Sequence, residues 1–203
     1  MGLKPSSIRA TKAAATRQAL VDAARPLFAA QGYHATGTPE IASAAGVTRG
    51  AMYHHFQDKE DLFEAVFAAV AKDLETAAGA SVLALAQDPW AQVQEGLQSF
   101  LRLVARSGEI QRVVLIDGPA VFGWVKWRRL ESEYTSIHLA RSFDRLMDLG
   151  VVERRPSETL SQLVVAALND AALSIAHADD PEAALPKVGD ALQALVAGLQ
   201  TKP

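Results

Sequence analysis

Helix punctuation across residues 32–63, GYHATGTPEIASAAGVTRGAMYHHFQDKEDLF, most limits the folds open to this 203-residue chain. Upstream, Leu20, Ala24, Leu27 and Phe28 recur at helical spacing and form one stripe, which Gly32 can end by taking a left-handed conformation. Thr38 precedes Pro39 and Glu40, so a hydroxyl, a ring suited to the first turn and an acid favoured at the positive helix end stand together. A second helix is therefore expected, capped by Thr38. It is short: Ile41, Ala42 and Ala45 make its buried side, Gly46 supplies the positive φ of a tight turn, and Val47 plugs that turn. Thr48 is expected to cap a third helix whose first turn holds Arg49, Gly50 and Ala51 and whose packed edge is Met52, Tyr53 and Phe56. Asp58 caps a fourth, with Asp61 three residues on as in a capping box, before Leu62, Phe63, Val66, Phe67 and Val70 run at helical spacing.

Two short helices about a glycine turn have the form of a helix-turn-helix, whose second helix lays its N-terminal residues against base edges in the major groove. Small Gly50 and Ala51 beside one long donor suit that position, and Arg49 is the expected base reader. Lys59 lies in a first turn, where the helix dipole gives a cation nothing, and a nearby phosphate would account for it. The pair His54-His55 raises a metal reading. Adjacent helical residues diverge, however, and no Cys or third ligand accompanies them, so no metal or cofactor is expected. His55 is expected to pack and His54 to face a phosphate.

In this order Phe28, Gly32-Tyr33, Glu40-Ile41-Ala42, Ala45-Gly46-Val47, Gly50, Tyr53, His55-Phe56, Lys59 and Leu62 resemble the N-terminal domain of the TetR family of bacterial transcriptional repressors, over roughly residues 14–74. The resemblance implies that Thr38, Thr48, Tyr53, His54 and Lys59 anchor phosphates and that Arg49, Gly50 and Thr48 touch bases, with Ala51 beside them. Two departures stand out. Pro26 falls inside the first helix, where it removes the bond to the Asp22 carbonyl and is expected to bend the axis. Gly37-Thr38-Pro39 is stiffer at its proline and looser at its glycine than a typical member.

Overall charge is only −3, a weak argument for nucleic acid until its distribution is considered. Residues 1–59 carry +4 and the remainder −7, so positive charge gathers where DNA would bind. Lys4, Arg9 and Lys12 suggest that residues 1–13 form a flexible basic arm following phosphates or a minor groove, with simple solubility an equal explanation. With 49% hydrophobic residues the chain can bury a substantial core. Zero Cys excludes disulfides and thiolate chemistry. The first ten residues lack a signal-peptide apolar segment and no apolar run of membrane-spanning length is evident, so a cytoplasmic protein without membrane contact is expected.

Beyond residue 74 the pattern stays helical. Asp88-Pro89 reads as a cap and first turn leading into Trp90, Val93, Leu97, Phe100, Leu101 and Val104, with Ser107-Gly108 as the stop. A short apolar segment, 113–116, is expected to end at Gly118-Pro119, before an aromatic-bearing helix over about 120–149 with Gly150 past its end. Ser157 reads as the cap of a helix striped by Leu160, Leu163, Val164, Ala167, Leu168, Ala171 and Ile175; Val188, Leu192, Leu195, Val196 and Leu199 trace a last one, starting at Pro181 or at Pro186. The expected class is all-α with about nine helices: a three-helix DNA-binding head over 14–74, with its helix-turn-helix at about 37–56, joined by a fourth helix to a larger bundle over 75–203 for ligand binding and dimerisation.

The resemblance implies that the last two helices meet a second copy in a four-helix interface, at Leu160, Val164, Leu168, Ala171, Leu192, Leu195, Val196 and Leu199. The alternative is that these stripes complete the monomer core. For an effector pocket, Phe100, Phe122, Trp124, Trp127 and Tyr134 offer bulk, and Arg106, His138 and Asn169, together with Asp117 and Glu133, offer polar contacts. Core packing is the standing alternative for each aromatic, and His138 reads as a packed histidine rather than a base. The expected function is a homodimeric repressor of a double-stranded DNA operator, released by a small, largely apolar or aromatic effector. Alternatives are a DNA-binding regulator answering a protein partner or no effector, and a helical enzyme or carrier with a vestigial head. Against the last stands the lack of a nucleophile with an adjacent base, of metal spacing and of a Gly-rich phosphate loop.

Overall fold

The structure is a computed structural model that describes residues 5–82, 85 and 88–201, with the side chains of 5–9 and 133–135 outside the description. The described residues form nine helical elements: α1 (Pro5–Ala35), α2 (Thr38–Ala44), α3 (Arg49–His55), α4 (Lys59–Val82), α5 (Pro89–Arg106), a π-helix (Ile110–Asp117), α6 (Gly118–Asp148), α7 (Ser157–Ala176) and α8 (Pro181–Ala197). The chain divides into two compact units, Met1–Ala69 and Val70–Pro203, so the division falls inside α4.

In the first unit, Leu20, Val21, Ala24 and Phe28 are buried along α1, and Gly32 interrupts its helical backbone at φ 79°, ψ 168°. Pro26 is accommodated within α1, whose only non-helical backbone lies at Gly32. Residues 5–13 belong to this helix, which corrects the expectation of an arm over 1–13; Lys4 and the Arg9 side chain lie outside the description. Phe28, Tyr33 and Phe63 gather with ring centroids 5.1 to 6.0 Å apart and join the end of α1 to α4. Buried Thr36, which the pattern reading passed over, locks the break: its Oγ1 donates to the Gly32 carbonyl at 2.8 Å.

Thr38 is the first residue of α2, not its cap. The cap position is taken by Gly37 in extended conformation with no side-chain bond, because Pro39 already removes one of the orphan N–H groups. The turn after α2 closes through Val47 N–H to the Ala42 carbonyl at 2.9 Å, with Gly46 at φ 66°. Thr48 does cap α3, its Oγ1 accepting from Ala51 N–H at 3.1 Å. Asp58 caps α4 through Asp61 N–H at 2.8 Å, while the Asp61 carboxylate reaches Gln57 N–H, one residue short of the reciprocal capping-box bond.

In the second unit, Asp88 caps α5 by accepting from Trp90 and Ala91 N–H, both at 3.0 Å, and Asp180 caps α8 by accepting from Ala183 N–H at 3.0 Å. Pro186 sits inside α8, so that helix starts at Pro181. Ser157 is the first residue of α7, whose cap position is Pro156 without a side-chain bond, contrary to the capping role expected of it. Gly118-Pro119 does not end the apolar segment either. The π-helix runs into α6 through Gly118 in helical conformation, and the true break comes at Gly123, φ 71° and ψ 161°.

The late apolar stripes are interior. Leu160, Val164, Leu168, Ala171, Leu192 and Val196, six residues of the expected interface, are all buried within the single chain. Leu199 is half-buried, whereas Leu163 and Leu195 point outward at 65% and 62% exposure. By length and composition α7 would suffice to cross a membrane, which the sequence reading did not expect of any segment. Nine of its side chains are nonetheless buried against the body. One isolated bridge, Val152 with Gln200, pins the end of the chain, reinforced by Thr201 N–H donating to the Val151 carbonyl at 2.9 Å.

Candidate nucleic-acid interface

The cap and turn described above leave one face of α3 in solvent. Thr48, Arg49, Gly50, Tyr53 and His54 are exposed, Thr38, Ala51 and His55 are half-buried, and Met52 and Phe56 fill the interior. Tyr53 was expected both on the packed edge and at a phosphate, and is 41% exposed. An apolar stripe does not distinguish its centre from its edge, and at that edge the ring carries polar work. Its hydroxyl stands 3.4 Å from Thr38 Oγ1, and the Arg49 guanidinium lies over the ring at 5.6 Å. The bond with Thr38, then that with Arg49, pulls the phenol below its ordinary value of 10.0. The three side chains thus connect α2 to the first turn of α3 at the surface. Arg17, on α1, adds a cation over the Phe56 ring at 4.5 Å, a placement that spacing alone did not reveal.

Lys59 has an intramolecular explanation that the sequence reading missed. Its Nζ donates to the Tyr33 carbonyl at 2.9 Å and the Thr36 carbonyl at 3.2 Å, and lies 4.2 Å from the centre of the Tyr33 ring. Those carbonyls follow the break at Gly32, where a cation satisfies groups that the ended helix leaves open. Burial, then the carboxylates of Glu60 and Asp58, raise the Tyr33 phenol above its ordinary value.

In the body, the residues expected to meet an effector separate. Trp127 is sealed, its Nε1–H donating to the Val114 carbonyl at 2.9 Å, and Phe100 and Phe122 are buried. Trp124 is 60% exposed, its ring 5.2 Å from that of Trp127. Arg106 faces solvent and pairs with Glu182 at 3.0 Å; His138 is also exposed, with Nε2 2.9 Å from Glu75 Oε1, not packed inside. Trp124, Arg106 and His138 were expected at an effector cavity, but the outward faces of α5 and α6 carry them. The side chains of Tyr134 and Glu133 lie outside the described residues. Of the expected polar contacts Asp117 and Asn169 are buried, Asp117 with an interaction of its own, and Asn169 fits the description of an inward polar anchor. It is 3% exposed, and neither Oδ1 nor Nδ2 finds a hydrogen-bond partner among the described residues.

The family model of bacterial regulatory proteins of the tetR family matches residues 20–66, and that of the Tetracyclin repressor-like C-terminal domain matches residues 90–199. A crystal structure of a TetR-family transcriptional regulator from Pectobacterium atrosepticum is 32% identical, covering 95% of this chain and 98% of that one with a TM-score of 0.82. RolR in complex with resorcinol shares the fold at 20% identity and a TM-score of 0.74, over 92% of this chain and 89% of that one. Curated relatives match mainly through the head. The transcriptional regulator AcrR of Shigella flexneri is 56% identical over 52 residues, 26% of this chain, which spans only 24% of that protein. With both family models matched and a relative aligned almost end to end, the chain belongs to the TetR family of bacterial transcriptional regulators.

Proposed function

We propose that this protein is a homodimeric, cytoplasmic repressor that binds a near-palindromic operator and leaves it when a small effector enters the body. The observation that carries the reading is the Thr48-capped start of α3, which holds Arg49 and Gly50 outward. Arg49 reads a base edge, Gly50 lets the helix approach closely, and Thr38, Thr48, Tyr53 and His54 anchor phosphates. Lys59 contributes as a strut with an N–H to spare, since an ammonium has three donors and two are engaged within the chain.

Two heads of a dimer occupy half-sites about 34 to 36 Å apart or a multiple of that spacing. The second copy docks on the outward faces of α7 and α8, where Leu163 and Leu195 supply exposed apolar surface. The effector engages Asn169, whose buried amide offers one acceptor and two donors without an internal claimant among the described residues. Release needs no chemistry. To convert a population from almost all binding-competent to almost all incompetent, the effector must prefer the second state by about 5.5 kcal/mol.

The test begins with genomic fragments retained by the purified protein, followed by affinity measurements on single-base variants of the recovered half-site. Arg49→Ala is expected to cost about 1 to 3 kcal/mol at one base position and to relax preference there. Equal loss on every variant, or footprinting without a discrete protected site, overturns the assignment.

A further inference from the structure

Four arginines of the body rest on carboxylates: Arg102 on Glu95, Arg106 on Glu182, Arg154 on Asp148 and Arg155 on Glu153. Arg141 and Arg145 do not, nor do Arg112, Arg128 and Arg129. Arg141 and Arg145 stand one turn apart on α6, both exposed, and neither guanidinium has a hydrogen-bond or ion-pair partner among the described residues. Like charges at this spacing repel along a helix, so the pair costs α6 some stability and is unexplained by the fold. Between them and the first turn of α5 lies a crevice of about 260 Å3, lined by Pro89, Gln92, His138, Arg141, Ser142 and Arg145.

Among the described residues no carboxylate lines the crevice. Three acids on or beside these helices are engaged elsewhere: Asp88 caps α5, Asp148 pairs with Arg154, and Glu75 of α4 holds His138. Asp144 is also on α6 and exposed, but it is not among the lining residues. The site therefore presents two unclaimed guanidinium forks, a neighbouring imidazole and the apolar ring of Pro89.

We propose that this crevice binds a small organic anion, its carboxylate or phosphate held by Arg141 and Arg145 and its remainder lying on Pro89. Guanidinium forks match two oxygens of such a group at once, and a pair one helical turn apart converges on a single headgroup. The volume is roughly nine times a water molecule's share of the liquid, enough for a ring with its headgroup and larger than a bare ion needs.

The bound anion also acts on His138. It offers the imidazole a second acceptor and repels the Glu75 carboxylate, so occupancy loosens the 2.9 Å link between α6 and α4.

Isothermal titration of the full chain, without DNA and at fixed ionic strength, tests the site with sodium benzoate and with inorganic phosphate as probes. Saturable binding of at least one probe is expected. It should weaken by about tenfold or more in R141Q/R145Q and tighten several-fold in E75Q, where the competing carboxylate is gone. Tightening is a change that misfolding does not imitate. Preference for benzoate assigns a carboxylate ligand and preference for phosphate a phosphorylated one. Heats that do not saturate into the millimolar range, or equal affinity in the wild type and R141Q/R145Q, overturn the proposal. Since no DNA enters the titration, its outcome is separate from that of the operator experiment.

Discussion

In the two units of this protein, the side chains of the helix-turn-helix and those sealed inside the body are positioned by different means. In the head, Thr48, Arg49, Gly50 and Tyr53 face outward, and short-range bonds put them there: a cap onto Ala51 and a glycine turn closed by Val47. In the body, Phe100, Trp127 and Asn169 face inward, and what they meet is decided by α5, the π-helix, α6 and α7 packing together. A site set by local backbone chemistry can be taken from a short stretch of residues. One set by tertiary packing needs the partner helices to be known first. Lys59 and Asn169 test that contrast, since each departs from the rule of its own unit.

The largest effect is expected at Lys59, a head residue whose placement depends on long-range contacts. Lys59→Met keeps the length of the side chain but orphans the Tyr33 and Thr36 carbonyls, which the ammonium bridges from 26 and 23 residues away. Loss of about 1 to 3 kcal/mol of stability is expected in urea unfolding without DNA, because part-buried carbonyls lose a charged donor. An unchanged midpoint combined with weaker DNA binding would make Lys59 a phosphate contact alone, as its position in the sequence first suggested.

The same division explains how much of the molecule was legible in the sequence. The caps at Thr48, Asp58 and Asp88 span two or three residues and were readable, as were the turns at Gly46 and Gly150, whereas the start of α8 after Asp180 was one of two left open. Thr38 and Ser157 were misplaced by one position, because Gly37 and Pro156 fill the cap site by backbone conformation without offering a side-chain signal. The π-helix and the break at Gly123 lie within an apolar, aromatic stretch whose periodicity carries no mark of either. Nor does an amphipathic stripe name what covers it: Leu160, Val164 and Leu192 are covered by their own chain, and only the outward Leu163 and Leu195 are left for another.

A middle-sized effect is expected at Asn169, the body residue whose polarity packing leaves unexplained. Its amide is buried without a partner among the described residues, a cost that Asn169→Leu removes at similar volume. The variant should gain about 1 to 2 kcal/mol in chemical denaturation while losing its response to effector on the operator. A loss of stability instead would mean that the amide supports the fold, and the contrast between an outward head site and an inward body site would lose its best evidence.

The smallest stability change, and the sharpest test of the head, belongs to Gly50. It lies in the first turn of α3 with ordinary helical backbone, and a Cβ there would meet only Thr48 Oγ1, at 4.0 Å. Nothing inside the chain requires glycine at this point, and glycine within a helix costs about 0.5 to 1 kcal/mol relative to alanine. Gly50→Ala is therefore expected to stabilise the free protein by up to that amount. If the missing side chain instead serves close approach to the base edges, the same substitution should weaken operator binding by about tenfold, since the methyl group enters the narrowest part of the contact. The two measurements move in opposite directions, which general damage to the head cannot produce. An operator affinity equal to that of the wild type would show that α3 does not approach DNA at Gly50 and would move the reading edge elsewhere on the helix.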